Sequence, residues 1–128
     1  MDAQQIVNAR LKATSAVTAV CGQRIYPSVV PQSAGLPGVA VTVRPAGAIG
    51  GNLLANAVTV DVECIAHVEA DVHALLEAVQ ASLEEYNGVA DDTHLRSLHR
   101  TGVQDPLYDN DFNVWAGILT FSGILIGA

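Results

Sequence analysis

The side chains of this chain that could do chemistry are four histidines, two cysteines and thirteen carboxylates, and their spacing is what decides whether they do any. A metal centre needs several ligands converging on one point, and a hydrolase needs a nucleophile beside a base. His67 and His73 stand six apart across an expected strand-to-helix junction, while His94 and His99 are expected on opposite faces of a strand. Neither pair makes a ligand set, so all four read as surface or interface histidines. Cys21 and Cys64 fall at an expected helix end and in an expected strand, with no Cys or His nearby at ligand spacing, and read as free, buried thiols. No Ser or Cys sits in a Gly-x-Ser-x-Gly elbow. The pairs Glu84-Glu85 and Asp91-Asp92 are adjacent residues that point apart and solvate turns, with no acid-base role. Gly47-Ala48-Ile49-Gly50-Gly51 lacks the Gly-Lys-Ser/Thr ending of a phosphate cradle and joins two expected strands, so its glycines are read as flexibility. The expectation is a protein that is not an enzyme, with no catalytic residue, no cofactor and no metal.

Charge narrows the partners. The net charge is −7 with only six basic residues, too few to neutralise a phosphate backbone. Residues 1–60 carry Asp2 against Arg10, Lys12, Arg24 and Arg44, a balance of +3, whereas residues 61–128 carry twelve acids against Arg96 and Arg100, a balance of −10. Such a division either solvates an acidic surface or supplies complementary faces for stacking subunits. The opening MDAQQIVNARLKA has no apolar core of a signal peptide, so synthesis in the cytoplasm is expected. Phe112 to Ala128 is uncharged over seventeen residues. Its Asn113, Thr120, Ser122 and three glycines, with no basic flank, argue for a strand rather than a membrane span.

The elements that must position these groups follow from periodicity. Asp2 and Gln5 have capping-box spacing, and Ile6, Val7, Leu11 and Val17 form an apolar stripe, so a helix is expected from Asp2 to about Val20, stopped by Gly22. Gln23 to Pro37 is extended and broken by prolines. Val39, Val41 and Val43 alternate with polar or small residues in a strand ending at Pro45. Residues 45–56, PAGAIGGNLLAN, are expected to be a flexible, apolar loop. Ala57 to His67 alternates cleanly, with Val58, Val60, Val62, Cys64 and Ala66 on one face. From Glu69, Val72, Leu75, Leu76, Val79, Leu83 and Tyr86 recur at helical steps up to a stop at Asn87-Gly88. His94 to Thr101 is expected as a short strand with Arg96 and Arg100 on one face, Gln104 to Asp111 as an acidic loop, and Phe112 to about Leu125 as a strand in the sheet centre or covered on both sides. The expected fold is one α+β domain spanning residues 1–128, ordered α-β-β-α-β-β. Its mixed, mostly antiparallel four-stranded sheet carries two helices on one face.

Gly22-Gln23-Arg24-Ile25-Tyr26-Pro27 after a short helix, a proline-containing connection to Leu36-Pro37, an alternating strand at 57–66 running into a helix, and a long apolar closing strand with Trp115 together resemble the tail-completion (tail-terminator) proteins of long-tailed bacteriophages. The loop from Pro45 to Asn56 has no counterpart in that pattern. The resemblance implies a structural virion protein of the tail and neck, assembled in the bacterial cytoplasm. It would form a ring, generally of six copies, that caps the finished tail tube and meets the head-side connector. Its partners would be itself, the tail-tube protein and the connector or stopper, with DNA passing through without specific binding and no membrane involved. Under that reading Arg24, Tyr26, Arg44, Ile49, Leu53 and Leu54 are expected at subunit or tube contacts. Asp91, Asp92, Asp105, Asp109 and Asp111 are expected at the channel or rim, where negative charge would let DNA slide. A strand edge pairing across the subunit boundary is a further expected device. The alternatives are another neck protein, such as a stopper or adaptor, or a small-molecule-binding α+β domain, which would need a pocket with converging polar groups.

Overall fold

The computed structural model describes residues 2–31, 35–49, 52–90 and 93–127, without the side chains of Asp2, Ala48, Ile49, Asn52, Leu53 and Leu54. The amino-terminal segment forms two helices, α1 (Asp2–Ala13) and α2 (Ser15–Cys21), where one was expected. Thr14 separates them. Its backbone is extended (φ −91°, ψ 111°), and its hydroxyl lies 2.7 Å from the carbonyl of Arg10 and 2.7 Å from the hydroxyl of Ser82 on the third helix. Local bonding of this kind competes with the helical ladder. Gly22 closes α2 as expected, at φ 61° with its N–H donating to the carbonyl of Thr18.

The strands are β1 (Ile25–Pro27), β2 (Gly38–Ile49), β3 (Asn52–Ala66), β4 (Gly88–Ala90), β5 (Thr93–Asp109) and β6 (Val114–Ile126), with α3 (Glu69–Leu83) between β3 and β4. They make one curled, six-stranded sheet in the order β1-β2-β3-β6-β5-β4, a half-barrel in which only β1 and β2 pair in parallel. The expectation of four strands and two helices is therefore corrected to six and three among the described residues. Two of the added strand stretches come from segments that read as loops. Residues 45–49 continue β2 and residues 52–56 continue β3, paired down to Ile49 opposite Asn52, and 104–109 continue β5 along β6.

Proline and glycine mislead there because sheet edges tolerate them. Val39 donates to Arg24 and Val41 accepts from Ser28, so these residues turn their backbone groups outward from β3. Pro45 shares their parity, and the N–H it lacks would have pointed to the open edge. The register shift between Pro45 and Gly47 is a bulge, with Gly47 at φ 112°. Pro106 likewise sits in a register shift between Gln104 and Leu107.

One face of the sheet carries the core. Val58, Val60, Val62, Cys64 and Ala66 of β3, with Leu119 and Phe121 of β6, are buried against Val72, Leu75, Leu76, Val79 and Leu83 of α3 and against Val7, Leu11 and Val17 of the first two helices. Each such aliphatic side chain stabilises the fold by about 1.5–3 kcal/mol on burial. Gly117 lets α3 approach β6, since a Cβ there would stand 2.9 Å from Leu76 Cδ1. The helix ends at Leu83, earlier than Asn87-Gly88. The left-handed residue after it is Glu85 (φ 60°), and Tyr86 lies outside the helix under the guanidinium of Arg10, 4.5 Å from its ring centre. β6 is the central strand expected, flanked by β3 and β5.

Candidate interface on the open face of the sheet

The alternating residues that point away from the helices form a second face, over which no helix packs among the described residues: Thr42 and Arg44 of β2, Asp61, Glu63 and Ile65 of β3, and Ala116, Ile118 and Thr120 of β6. β6 was expected in the centre or covered on both sides; it is central but covered on one. Its open-side residues Ala116, Ile118 and Thr120 are half-buried. Three adjoining depressions of about 460–540 Å³ cross this face, and Glu63 lines all three.

The polar groups here are arranged in two ways. Asp61 is fully engaged: Arg44 Nη2 donates to its Oδ2 at 2.6 Å and Thr120 Oγ1 to its Oδ1 at 2.8 Å. Glu63, two residues along, has no hydrogen-bond or ion-pair partner among the described residues, and burial pushes its carboxyl above the ordinary value. The depression at the β3–α3 end of the sheet is the most apolar of the three. Val30, Pro31, Leu36, Ile65, Phe112 and Val114 wall it, with Glu63, His67 and Asp109 at its edge. Phe112 is 64% exposed and Leu107 60% exposed, so this end presents large apolar side chains to water beside carboxylates.

Among the described residues no three His, Cys, Asp or Glu side chains converge as a metal site. Cys21 and Cys64 are free and buried as expected, and burial raises both thiols, Cys64 most, which leaves them poor nucleophiles at neutral pH. The bulge at Ser97 (φ 60°) corrects two expectations about β5. His94 and His99 pair with Ile126 and Ser122 and so share the open face, whereas Arg96 and Arg100 pair with Ile124 and Phe121 and fall on opposite faces. Arg100 accordingly reaches Gln80 of α3 at 3.0 Å.

The residues expected at contacts are scattered over the sheet. Arg24 and Tyr26 are half-buried at the β1 edge, with Arg24 Nε donating to the carbonyl of Pro37 at 2.8 Å, while Arg44 lies on the open face. Ile49, Leu53 and Leu54 belong to the β2–β3 hairpin, their side chains outside the description. Asp105, Asp109 and Asp111 are exposed near the β5–β6 turn, and Asp109 and Asp111 line a depression together. Asp91 and Asp92 lie outside the described residues.

Sequence reasoning missed the groove that joins the proline-rich connection to Phe112; exposed aromatic and proline residues at equivalent strand ends were its only signal. Both open strand edges are blunted. β1 covers β2 only at Val39 to Val41, and β4 covers β5 only at Thr93 to Leu95, after which Glu84 to Asn87 bond to Ser97, Leu98 and Arg100. What remains free carries Pro45 and two register shifts, or Pro106 and two register shifts, and these make poor templates for strand addition.

Among solved structures seventeen chains match, and one, a chain of the virion of native gene transfer agent (GTA) particle, superposes with a TM-score of 0.76 at 19% identity, over 98% of this chain and 96% of that one. At that identity the likeness is one of fold. No curated protein matches. The family described as Tail completion protein gp17 matches residues 5–125, nearly the whole length, and on that match the chain belongs to the tail completion protein gp17 family.

Proposed function

We propose that this tail completion protein is a virion component that works as a ring, generally of six copies, capping the finished tail tube and joining it to the head-side connector. The observation that carries the reading is the open face of the sheet. This family member leaves half-apolar strand residues and an exposed Phe112 on a face over which no helix packs among the described residues, as a protein does when its work is contact with other chains. Closure of identical subunits needs contacts between unlike patches, each burying on the order of 1,000 Å² or more in total. Arg24, Tyr26, Arg44, Ile49, Leu53 and Leu54 would contribute to those contacts. In the ring, Asp105, Asp109 and Asp111, with Asp91 and Asp92, would face the channel or rim.

The test is to add purified protein to tail tubes and to image tube ends by electron microscopy, with native mass spectrometry of the released complex. Rings at one end of the tube are expected. Binding along the tube wall, or to the connector alone, would place the protein elsewhere in the neck. For the acids, replacing all five by Asn should slow DNA passage, read as ejection efficiency; an unchanged efficiency would remove that role.

A further inference from the structure

We infer that the apolar groove between the proline-containing connection and the β5–β6 turn receives a segment of a different virion chain, one that sets large apolar side chains beside a lysine or arginine. This rests on the reading above that the open face meets other chains. Val30, Pro31, Leu36, Ile65, Phe112 and Val114 wall a depression of about 530 Å³, which has room for more than one large side chain. No described residue of this chain fills it, and Phe112 stands 64% exposed at its wall. Apolar surface of this kind is costly to leave in water, and apolar side chains of a partner would cover it. Because both open strand edges are blunted, the partner enters by its side chains rather than as an added strand.

Charge fixes what must accompany those side chains. Glu63 and Asp109 edge the groove, and with Asp111 they line the depression beside it, whereas no Lys or Arg among the described residues lines either one. His67, also at the edge, has its Nδ1 3.3 Å from the carbonyl oxygen of Asn113. Both oxygens of Asp61 already accept hydrogen bonds, from Arg44 and Thr120. Glu63 has instead lost part of its water to burial and gained no partner among the described residues. A cation docked beside Glu63 replaces that lost solvation, and a segment that brought a carboxylate there would be repelled.

The same charges make a second copy a poor occupant. Of the six basic residues, Arg10 donates to the carbonyl of Ser82, Arg24 to that of Pro37, Arg44 to Asp61 and Arg100 to Gln80. Lys12 and Arg96 are left. Lys12 lies on α1 among the exposed Ala9 and Ala13, which bring no large apolar side chain with it. Arg96 is preceded in the sequence by Asp91 and Asp92, which offset its charge. With a net charge of −7 the chain repels its own kind at an acidic groove, so the counter-ion comes from a chain of different composition.

The experiment replaces Phe112 by the photo-reactive benzoylphenylalanine in the full-length chain within assembled particles, which keeps the aromatic bulk at the groove. After illumination, mass spectrometry should find the link in another virion protein, in a stretch with large apolar residues and a Lys or Arg within a few positions. Links confined to this chain's own sequence, links to a stretch without a basic residue, or no link at all would overturn the docking. Charge is tested separately with Glu63→Gln, which conserves shape, and Glu63→Lys. The share of particles with joined tails should fall about tenfold or more for Glu63→Lys and less for Glu63→Gln, while urea unfolding shows Glu63→Gln at least as stable as wild type. Unchanged joining in both variants would also overturn the docking. Rings on tube ends without the expected link would leave the ring reading standing. The expected link in particles whose tube ends carry no ring would remove that reading and keep the docking.

Discussion

Leu119 and Ile118 are neighbours on β6, and the two faces of the sheet can be compared through them. Leu119 is 1% exposed among the side chains of α3 and β3, whereas Ile118 points to the open side and stays half-buried above the trough. Both are large and aliphatic, so composition does not distinguish them; what differs is whether this chain supplies a covering layer. The helix face spends its apolar area on folding. On the proposed reading the open face keeps comparable side chains for contact with another chain, the division of labour expected of an assembling subunit.

The largest expected effect tests that division directly. Leu119→Ala should cost about 2–5 kcal/mol in urea unfolding, while Ile118→Ala should cost about 1 kcal/mol and impair ring formation instead. Equal losses of stability would erase the distinction between the faces. Gly117→Ala comes next, at about 1–3 kcal/mol by thermal or urea unfolding, since its Cβ would meet Leu76 Cδ1 at 2.9 Å and Val72 Cγ1 at 3.3 Å. Gly102→Ala on β5, whose Cβ would first meet Thr120 at 3.8 Å, should stay within about 0.5 kcal/mol.

Smaller effects are expected among the polar groups of the open face. Arg44→Met breaks an exposed ion pair and should cost about 0–1 kcal/mol, less as salt is added, measured by denaturation at two ionic strengths. Glu63→Gln should be slightly stabilising for the isolated subunit at neutral pH. Burial holds the folded carboxyl above its unfolded value, so the folded state binds the proton more tightly. Wild type therefore loses stability as pH rises from the unfolded carboxylate value through the folded one, and the glutamine variant does not. The two stability curves should meet in acid and separate above the carboxylate range. Curves that run parallel would mean that Glu63 is not desolvated.

The legible parts of the fold were those with a long, uninterrupted period. The stripe Val72, Leu75, Leu76, Val79, Leu83 and the alternation from Val58 to Ala66 each repeat often enough that one face must be buried, and both are. The resemblance carried by Gly22 to Pro27 and the closing strand led to the right family. The strand stretches read as loops failed for a common reason. Pro45, Gly47 and Pro106 are breakers only where a backbone N–H is needed or where φ is restricted, and outward positions and bulges at a sheet edge need neither. The pairings of Arg96 with Arg100 and of His94 with His99 failed because a bulge at Ser97 reverses the alternation, and nothing in the local residue pattern announces a bulge.

By itself, then, the sequence determined which residues must leave water, the order of the main helices and strands, and the absence of a catalytic or metal-binding motif, because these depend on residue type and on spacings within one element. Only the tertiary structure decided how many strands share the sheet, which way β5 turns its side chains after Ser97, and that, among the described residues, no helix covers the face bearing Glu63, Ile65 and Ile118. Those outcomes depend on which strands become edges and where the three helices run out of surface to cover, and such competition between distant segments leaves no periodic trace along the chain.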